Sequence, residues 1–89
     1  MPATRVTMEC DLYASAFSGE VVFAVKMTDG NDYEGIAPKH FASPTDALTE
    51  QPTRGRLEVK LIRNGGKTAY VAFPDGEAAE INAEMVHSQ

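Results

Sequence analysis

The sequence predicts a mainly β domain of six short strands, closed into a small barrel or packed as two three-stranded meanders. Apolar and polar residues alternate along several segments, which is the period of a strand with one buried face. Turn dipeptides that contain glycine separate these segments at intervals of about 8–12 residues. A chain of 89 residues is long enough for one core. We therefore expect a single domain over residues 1–89.

Two strands open the predicted fold. The first covers residues 5–12, and the second covers residues 21–27 and is rich in β-branched residues. The inward positions of the first strand are Val6, Met8, Cys10 and Leu12. The connection between the two strands ends in Tyr13 and Phe17, and we expect both rings to fold back onto the core.

The third strand, over residues 33–36, returns from a hairpin turn at Asp29-Gly30. We predict a β-bulge at Gly35, which would let both Tyr33 and Ile36 face the core. Short helical turns are expected near residues 38–41, 44–51 and 82–87, and the first of these places Phe41 over one end of the barrel.

The segment 44–53 joins the two halves of the chain. Ser43-Pro44-Thr45-Asp46 resembles a helical capping box, so a turn or two of helix over residues 44–51 is one interpretation. An exposed linker is the other, because so short a helix is marginal.

The second half follows the same plan. A strand with Leu57, Val59 and Leu61 inward leads to an Asn64-Gly65 hairpin. Residues 68–73 return, Pro74-Asp75-Gly76 turns the chain, and residues 77–81 form a last strand. The closing turn, over residues 82–87, is expected to bury Met85 or Val86.

The two halves, residues 4–43 and 54–88, are therefore expected to form an internal repeat. The Asp29-Gly30 turn aligns with Asp75-Gly76, and Ile36 then aligns with Ile81. Neither half can bury its apolar face alone, so the two should pack together. The order of elements over residues 54–88 resembles that of SH3-type modules, which implies an SH3-like barrel.

Charge is distributed unevenly. The chain has a net charge of −5, which disfavours nucleic acid as the default partner. Residues 54–67 nevertheless hold five basic residues against one acid, Glu58, giving a local net charge of +4. These basic residues are Arg54, Arg56, Lys60, Arg63 and Lys67.

No catalytic motif is found in the sequence. We expect no enzymatic activity, no cofactor and no metal, because no histidine or cysteine pair has ligand spacing. Cys10 belongs to an inward series and should be an inert buried thiol, while His40 and His87 fit surface positions. Asp29, next to the Gly30 turn, fits a hairpin better than a calcium loop.

We therefore predict a non-catalytic module that binds a protein or peptide partner. Its surface would be the outward side chains of Tyr70 and Ile62, with the basic residues of 54–67 around them. The alternative is nucleic-acid binding through the same basic stripe, with Tyr70 as a stacking surface. The lone cysteine and the lack of a leader or a long apolar segment favour a cytoplasmic protein without membrane contact.

Overall fold

The computed structural model describes residues 4–88, which form eight strands and two single turns of 3₁₀ helix. The strands are β1 (Thr4–Ala14), β2 (Glu20–Lys26), β3 (Asp32–Pro38), β4 (Ala42–Pro44), β5 (Thr53–Asn64), β6 (Thr68–Ala72), β7 (Ala78–Asn82) and β8 (Val86–Ser88). The first 3₁₀ turn (Lys39–Phe41) precedes β4, and the second (Ala83–Met85) precedes β8. The mainly β prediction is confirmed, and the two extra strands are the three-residue β4 and β8.

The strands form one antiparallel sheet that curls into a half-barrel. Its order is β3-β2-β1-β5-β6-β7. The two short strands lie off this path, and each pairs across the middle of the molecule: β4 with β5, and β8 with β1. The element order of β1–β4 is thus the same as that of β5–β8, and each group contributes its last strand to the other.

The centre of the sheet is the long pairing of β1 with β5. Nine residues of β1 lie opposite nine of β5, with Met8 facing Leu57, and both of these side chains are fully buried. Alternate residues of the two strands point to the concave side, as the sequence pattern predicts.

The core fills that concave side. Its buried apolar residues are Val6, Met8, Cys10, Leu12, Val21, Phe23, Val25, Ala37, Leu57, Val59, Ala69, Val71, Phe73 and Ile81. Phe41, Met85 and Val86 pack against this cluster and are partly buried, as predicted. Burial of each large aliphatic or aromatic side chain contributes about 1.5–3 kcal/mol, so this cluster is the main source of stability.

Aromatic rings join the two sides of the half-barrel. Phe73, at the end of β6, lies 4.9 Å from the ring of Tyr33 on β3 and 5.4 Å from Phe23 on β2 (centroid distances). The Tyr33 hydroxyl donates a hydrogen bond to Asp75. Beyond β2, Met27 forms a β-bridge with Ile81 of β7. These contacts bring the β2–β3 hairpin against the β6–β7 hairpin.

The β2–β3 and β6–β7 turns have the same geometry, and both were expected from their Asp-Gly pairs. The Gly30 N–H donates to the Met27 carbonyl at 3.0 Å, and the Gly76 N–H donates to the Phe73 carbonyl at 3.0 Å. Both glycines have positive φ, 90° and 94°, where a side chain would be strained. In each turn the aspartate before the glycine accepts a hydrogen bond from the N–H two residues later.

The predicted bulge at Gly35 is wrong. The β2–β3 pairing runs in register through it, with Phe23 opposite Gly35 and Val22 opposite Ile36. Regular alternation therefore turns Ile36 outward, where it is 50% exposed. Glycine is present for a steric reason: a Cβ there would lie 2.7 Å from the Phe23 ring and would also meet the Asp75 carboxylate. Ala37, not Ile36, is the buried counterpart of Ile81.

The structure does contain a bulge, but in β5. The β5–β6 register shifts between Leu61 and Arg63, which leaves Ile62 unpaired and 50% exposed.

Two further expectations fail in the connections. Residues 45–52 contain no helix, so the helical interpretation is wrong. The N–H and hydroxyl of Thr45 both donate to the Arg54 carbonyl, which extends the β4–β5 pairing and closes the residues between them as a loop. Within this segment Leu48 packs against the core and the other residues are exposed. Phe17 is 69% exposed rather than folded onto the core, and Tyr13 lies on the outer face because its neighbour Leu12 points inward.

Candidate interaction surface

Strand β5 carries the predicted basic residues on its outer side. Arg54, Arg56 and Lys60 are exposed, and they alternate with buried residues of the same strand. The outward direction predicted for these three side chains is therefore confirmed. Their electrostatic surroundings differ, however, along the strand.

Arg54 lies among acids of β1. Its guanidinium is 3.5 Å from an oxygen of Asp11 and 3.7 Å from an oxygen of Glu9. Glu9 also lies opposite Arg56 in the β1–β5 register. His87 on β8 contacts the other Glu9 oxygen through Nε2 at 2.5 Å.

The pKa of Glu9 is lowered by these neighbours. The hydrogen bond with His87 is the largest cause, and attraction to Arg54 and Arg56 adds to it, against an opposing effect of burial. A carboxylate held ionised in this way partly neutralises the basic residues beside it. The first part of the predicted stripe is therefore a charge-balanced region.

Lys60 lies in a different setting. Its partner across the β1–β5 ladder is Arg5, so two exposed cations stand side by side. They line a cleft of about 400 Å³ between the first 3₁₀ turn and the β6–β7 turn. The other lining residues are Phe41, Glu58, Val59, Ala72, Phe73, Pro74 and Gly76. The cleft thus has an apolar floor, a cationic wall and one carboxylate.

Arg63 and Tyr70 are direct neighbours beyond the bulge. They face each other in the β5–β6 ladder, and Tyr70 in turn faces Glu80 on β7. Tyr70 is 37% exposed, and the bulge residue Ile62 is 50% exposed beside Arg63. An aromatic ring, an aliphatic side chain and a guanidinium therefore lie together on the outer face.

Lys67 lies further away, in the hairpin between β5 and β6. Its backbone carbonyl accepts a hydrogen bond from Ala83 N–H at 3.0 Å, which attaches the second 3₁₀ turn to the hairpin. Its side chain lines a separate cleft of about 330 Å³ together with Lys26, Thr28 and Asn82.

The seven predicted site residues therefore do not form one surface. Arg54 and Arg56 lie in the charge-balanced region, and Lys67 lines a separate cleft. The other four lie together on β5 and β6. We define the β5–β6 surface as Arg5, Lys60, Ile62, Arg63 and Tyr70. Sequence reasoning missed Arg5 and the cleft residue Phe41, because neither is near Lys60 in the chain. The antiparallel register of β1 against β5 is the signal that brings Arg5 to Lys60.

The nucleophilic and basic side chains are dispersed. Cys10 is fully buried, and burial raises the pKa of its thiol to about 12. His40 lies against the ring of Phe41 in the first 3₁₀ turn, and His87 contacts Glu9 on β1.

Within residues 4–88, no group of three or more acidic, histidine or cysteine side chains is placed to hold a metal ion. The Asp29 carboxylate is used instead inside the hairpin turn, where it bonds the N–H and side-chain amide of Asn31. The same part of the chain contains no helix long and apolar enough to cross a membrane.

Comparison with known protein families, curated proteins and solved structures gave no match to this chain. The similarity to SH3-type modules therefore stays a prediction from the order of elements.

Proposed function

We propose that this domain is a non-catalytic module that binds a protein or peptide partner through the β5–β6 surface. The main support for this proposal is the apolar cleft beside Lys60 and Arg5, together with the exposed Ile62 and Tyr70 further along the outer face. Exposed apolar groups with a rim of charges are typical of sites that bind other proteins.

The chemistry of the surface indicates what the partner carries. Arg5, Lys60 and Arg63 favour carboxylates, while the Phe41 and Phe73 floor favours an apolar side chain. A segment with an acidic residue next to a leucine or phenylalanine satisfies both. The absence of a catalytic role is supported by the buried thiol of Cys10, which is inert as a nucleophile.

Nucleic-acid binding is the second candidate, favoured by the position of Arg63 opposite Tyr70 in the β5–β6 ladder, which places a cation beside an exposed aromatic ring. Against it, Arg54 is bound by Glu9 and Asp11, which removes part of the basic stripe that a phosphate backbone requires. A protein partner needs only the short cationic group at Arg5, Lys60 and Arg63.

The test is an amide-shift titration with two probes at low salt: a blocked peptide that alternates glutamate with leucine, and a short single-stranded oligonucleotide. We expect the peptide to shift residues around Lys60, Ile62 and Tyr70. Ile62→Ser should weaken this binding about tenfold, because serine removes most of the apolar surface that the bound peptide would cover at this position. The matched control is Ile36→Ser, since Ile36 is equally exposed on the other half.

Three results would contradict the proposal. These are the absence of any shift with the peptide, an equal loss of binding in the Ile36 and Ile62 variants, and shifts at this surface with the oligonucleotide alone. The last result, with shifts that vanish as salt is added, would favour the nucleic-acid candidate instead.

A further inference from the structure

Strand β3 is an open edge of the sheet. Among the described residues it pairs with β2 alone. Met27 N–H donates to the Asn31 carbonyl at 2.8 Å, and Lys39 N–H donates to the Gly19 carbonyl at 2.9 Å. Hydrogen-bonded and non-bonded pairs alternate along an antiparallel ladder. The backbone groups of Glu34 and Ile36 therefore face away from β2, toward the free edge.

An apolar row leads to that edge across the outer face. Ile36 lies opposite Val22 on β2, and Val22 lies opposite Tyr13 on β1. Ile36 is 50% exposed, and the other two are partly buried. Exposed edge strands are usually protected by charges or short length, and an aliphatic side chain at the edge works against such protection.

Carboxylates flank this row. Glu34 is the next outward residue on β3, and its neighbour on β2 is Ala24, so no cation lies opposite it. On the other side of the row, Glu20 of β2 lies opposite Pro38. Along β3 itself, Ile36 therefore has an acidic outward neighbour on one side, Glu34, and an apolar one on the other, Pro38, while Glu20 lies one strand further from the edge.

We propose that the β3 edge binds an extended, basic segment of a partner protein by strand addition. The segment would place an aliphatic residue opposite Ile36 and a lysine or arginine at the next outward position, opposite Glu34. The backbone groups of Glu34 and Ile36 supply hydrogen bonds, and the Glu34 carboxylate selects a basic partner. Pairing with the same edge of a second copy is disfavoured, because it brings two Glu34 carboxylates into one interface.

This site is separate from the β5–β6 surface, and it prefers the opposite charge. The proposed function and this inference therefore fail or succeed independently. Two variants at equally exposed isoleucines, Ile36→Ser and Ile62→Ser, separate them.

The probe is a blocked heptapeptide with a central isoleucine, a lysine two positions away on each side, and threonine elsewhere. In an amide-shift titration at low salt we expect its largest shifts at Glu34 and Ile36, with slower hydrogen exchange at both amides. Ile36→Ser and Glu34→Lys should each weaken binding about tenfold or more. Ile62→Ser should leave the affinity unchanged.

A second peptide decides whether the backbone takes part. It has the same side chains, but its edge-facing amides are N-methylated, and we expect at least a tenfold loss of affinity. The proposal is overturned if the two peptides bind equally, because binding is then only charge attraction. It is also overturned if neither peptide shifts β3, or if Ile62→Ser weakens binding as much as Ile36→Ser.

Discussion

The Tyr33 hydroxyl donates a hydrogen bond to the Asp75 carboxylate, and this bond ties β3 to the β6–β7 turn. The Tyr33 ring also stacks on Phe73, with 9° between the ring planes. Burial is the first cause that raises the pKa of Tyr33 to about 12, and the bond to Asp75 is the second. The neutral phenol is thus the form that the folded protein favours.

A change of pH should reveal this bond. Folding raises the pKa of the Tyr33 hydroxyl. The contribution of the neutral phenol to stability is therefore complete below the ordinary tyrosine value of about 10, and it is lost as the pH rises toward 12. We expect Tyr33→Phe to lower the free energy of unfolding by about 1 kcal/mol at neutral pH, and by less above pH 10 or so. Urea unfolding at several pH values measures this. Tyr70→Phe is the control, and equal losses in the two variants would contradict the prediction.

Gly35 should not tolerate a side chain. A Cβ at this position meets the Phe23 ring at 2.7 Å, so Gly35→Ala forces the aromatic cluster to move. We expect a loss of about 1–3 kcal/mol, measured by urea unfolding. Gly19→Ala is the matched control, because a Cβ at Gly19 meets nothing within 4 Å. Equal stability of the two variants would show that the cluster adapts without cost.

The Cys10 thiol should be unreactive in the folded protein. It is fully buried, and its pKa is raised to about 12, so the reactive thiolate is scarce. We expect an aromatic disulfide reagent to label Cys10 only as fast as the protein unfolds. Ala16→Cys, in the exposed β1–β2 connection, should add one rapidly labelled thiol. Rapid labelling of the unaltered protein would mean that the core opens far more readily than its burial indicates.

The stabilising contribution of Glu9 should be lost at acid pH. Its pKa is lowered on folding, chiefly by the hydrogen bond with His87, so its contribution is present above the ordinary value of 4.5 and is lost as the pH falls below it. We expect Glu9→Gln to be less stable than the unaltered protein at neutral pH and equal to it in acid. Thermal unfolding across this range measures the difference. Glu50→Gln, on the exposed linker, should show no such convergence.

Alternation of apolar residues was sufficient to predict most of the core. Met8, Leu12 and Val71 are buried because each lies on the inward face of a half-buried strand, which is a local property. Gly35 and Ile36 were misassigned because the reason for that glycine is not local. The Phe23 ring and the Asp75 carboxylate occupy its space, and they come from other parts of the chain.

The candidate surface also combines features that follow from local sequence with features that depend on distant parts of the chain. The outward direction of Arg56 and Tyr70 follows from strand period alone. That Arg54 is bound by Asp11, and that Arg5 lies beside Lys60, depends on the register of β1 against β5. Local pattern does not specify that register. The exposed Ile62 was identified, but its cause, a shift in pairing after Leu61, was not.

The pairing of β4 with β5 and of β8 with β1 affects how the protein folds and unfolds. Because β4 covers β5 and β8 covers β1, the edge of β1 at Val6–Met8 stays open until Val86–Ser88 has been synthesised. Neither half can then melt without uncovering the other, so hydrogen exchange at β1 and β5 should report one shared opening. A cut in residues 45–52 should leave two fragments that remain associated, held by the strands they exchange.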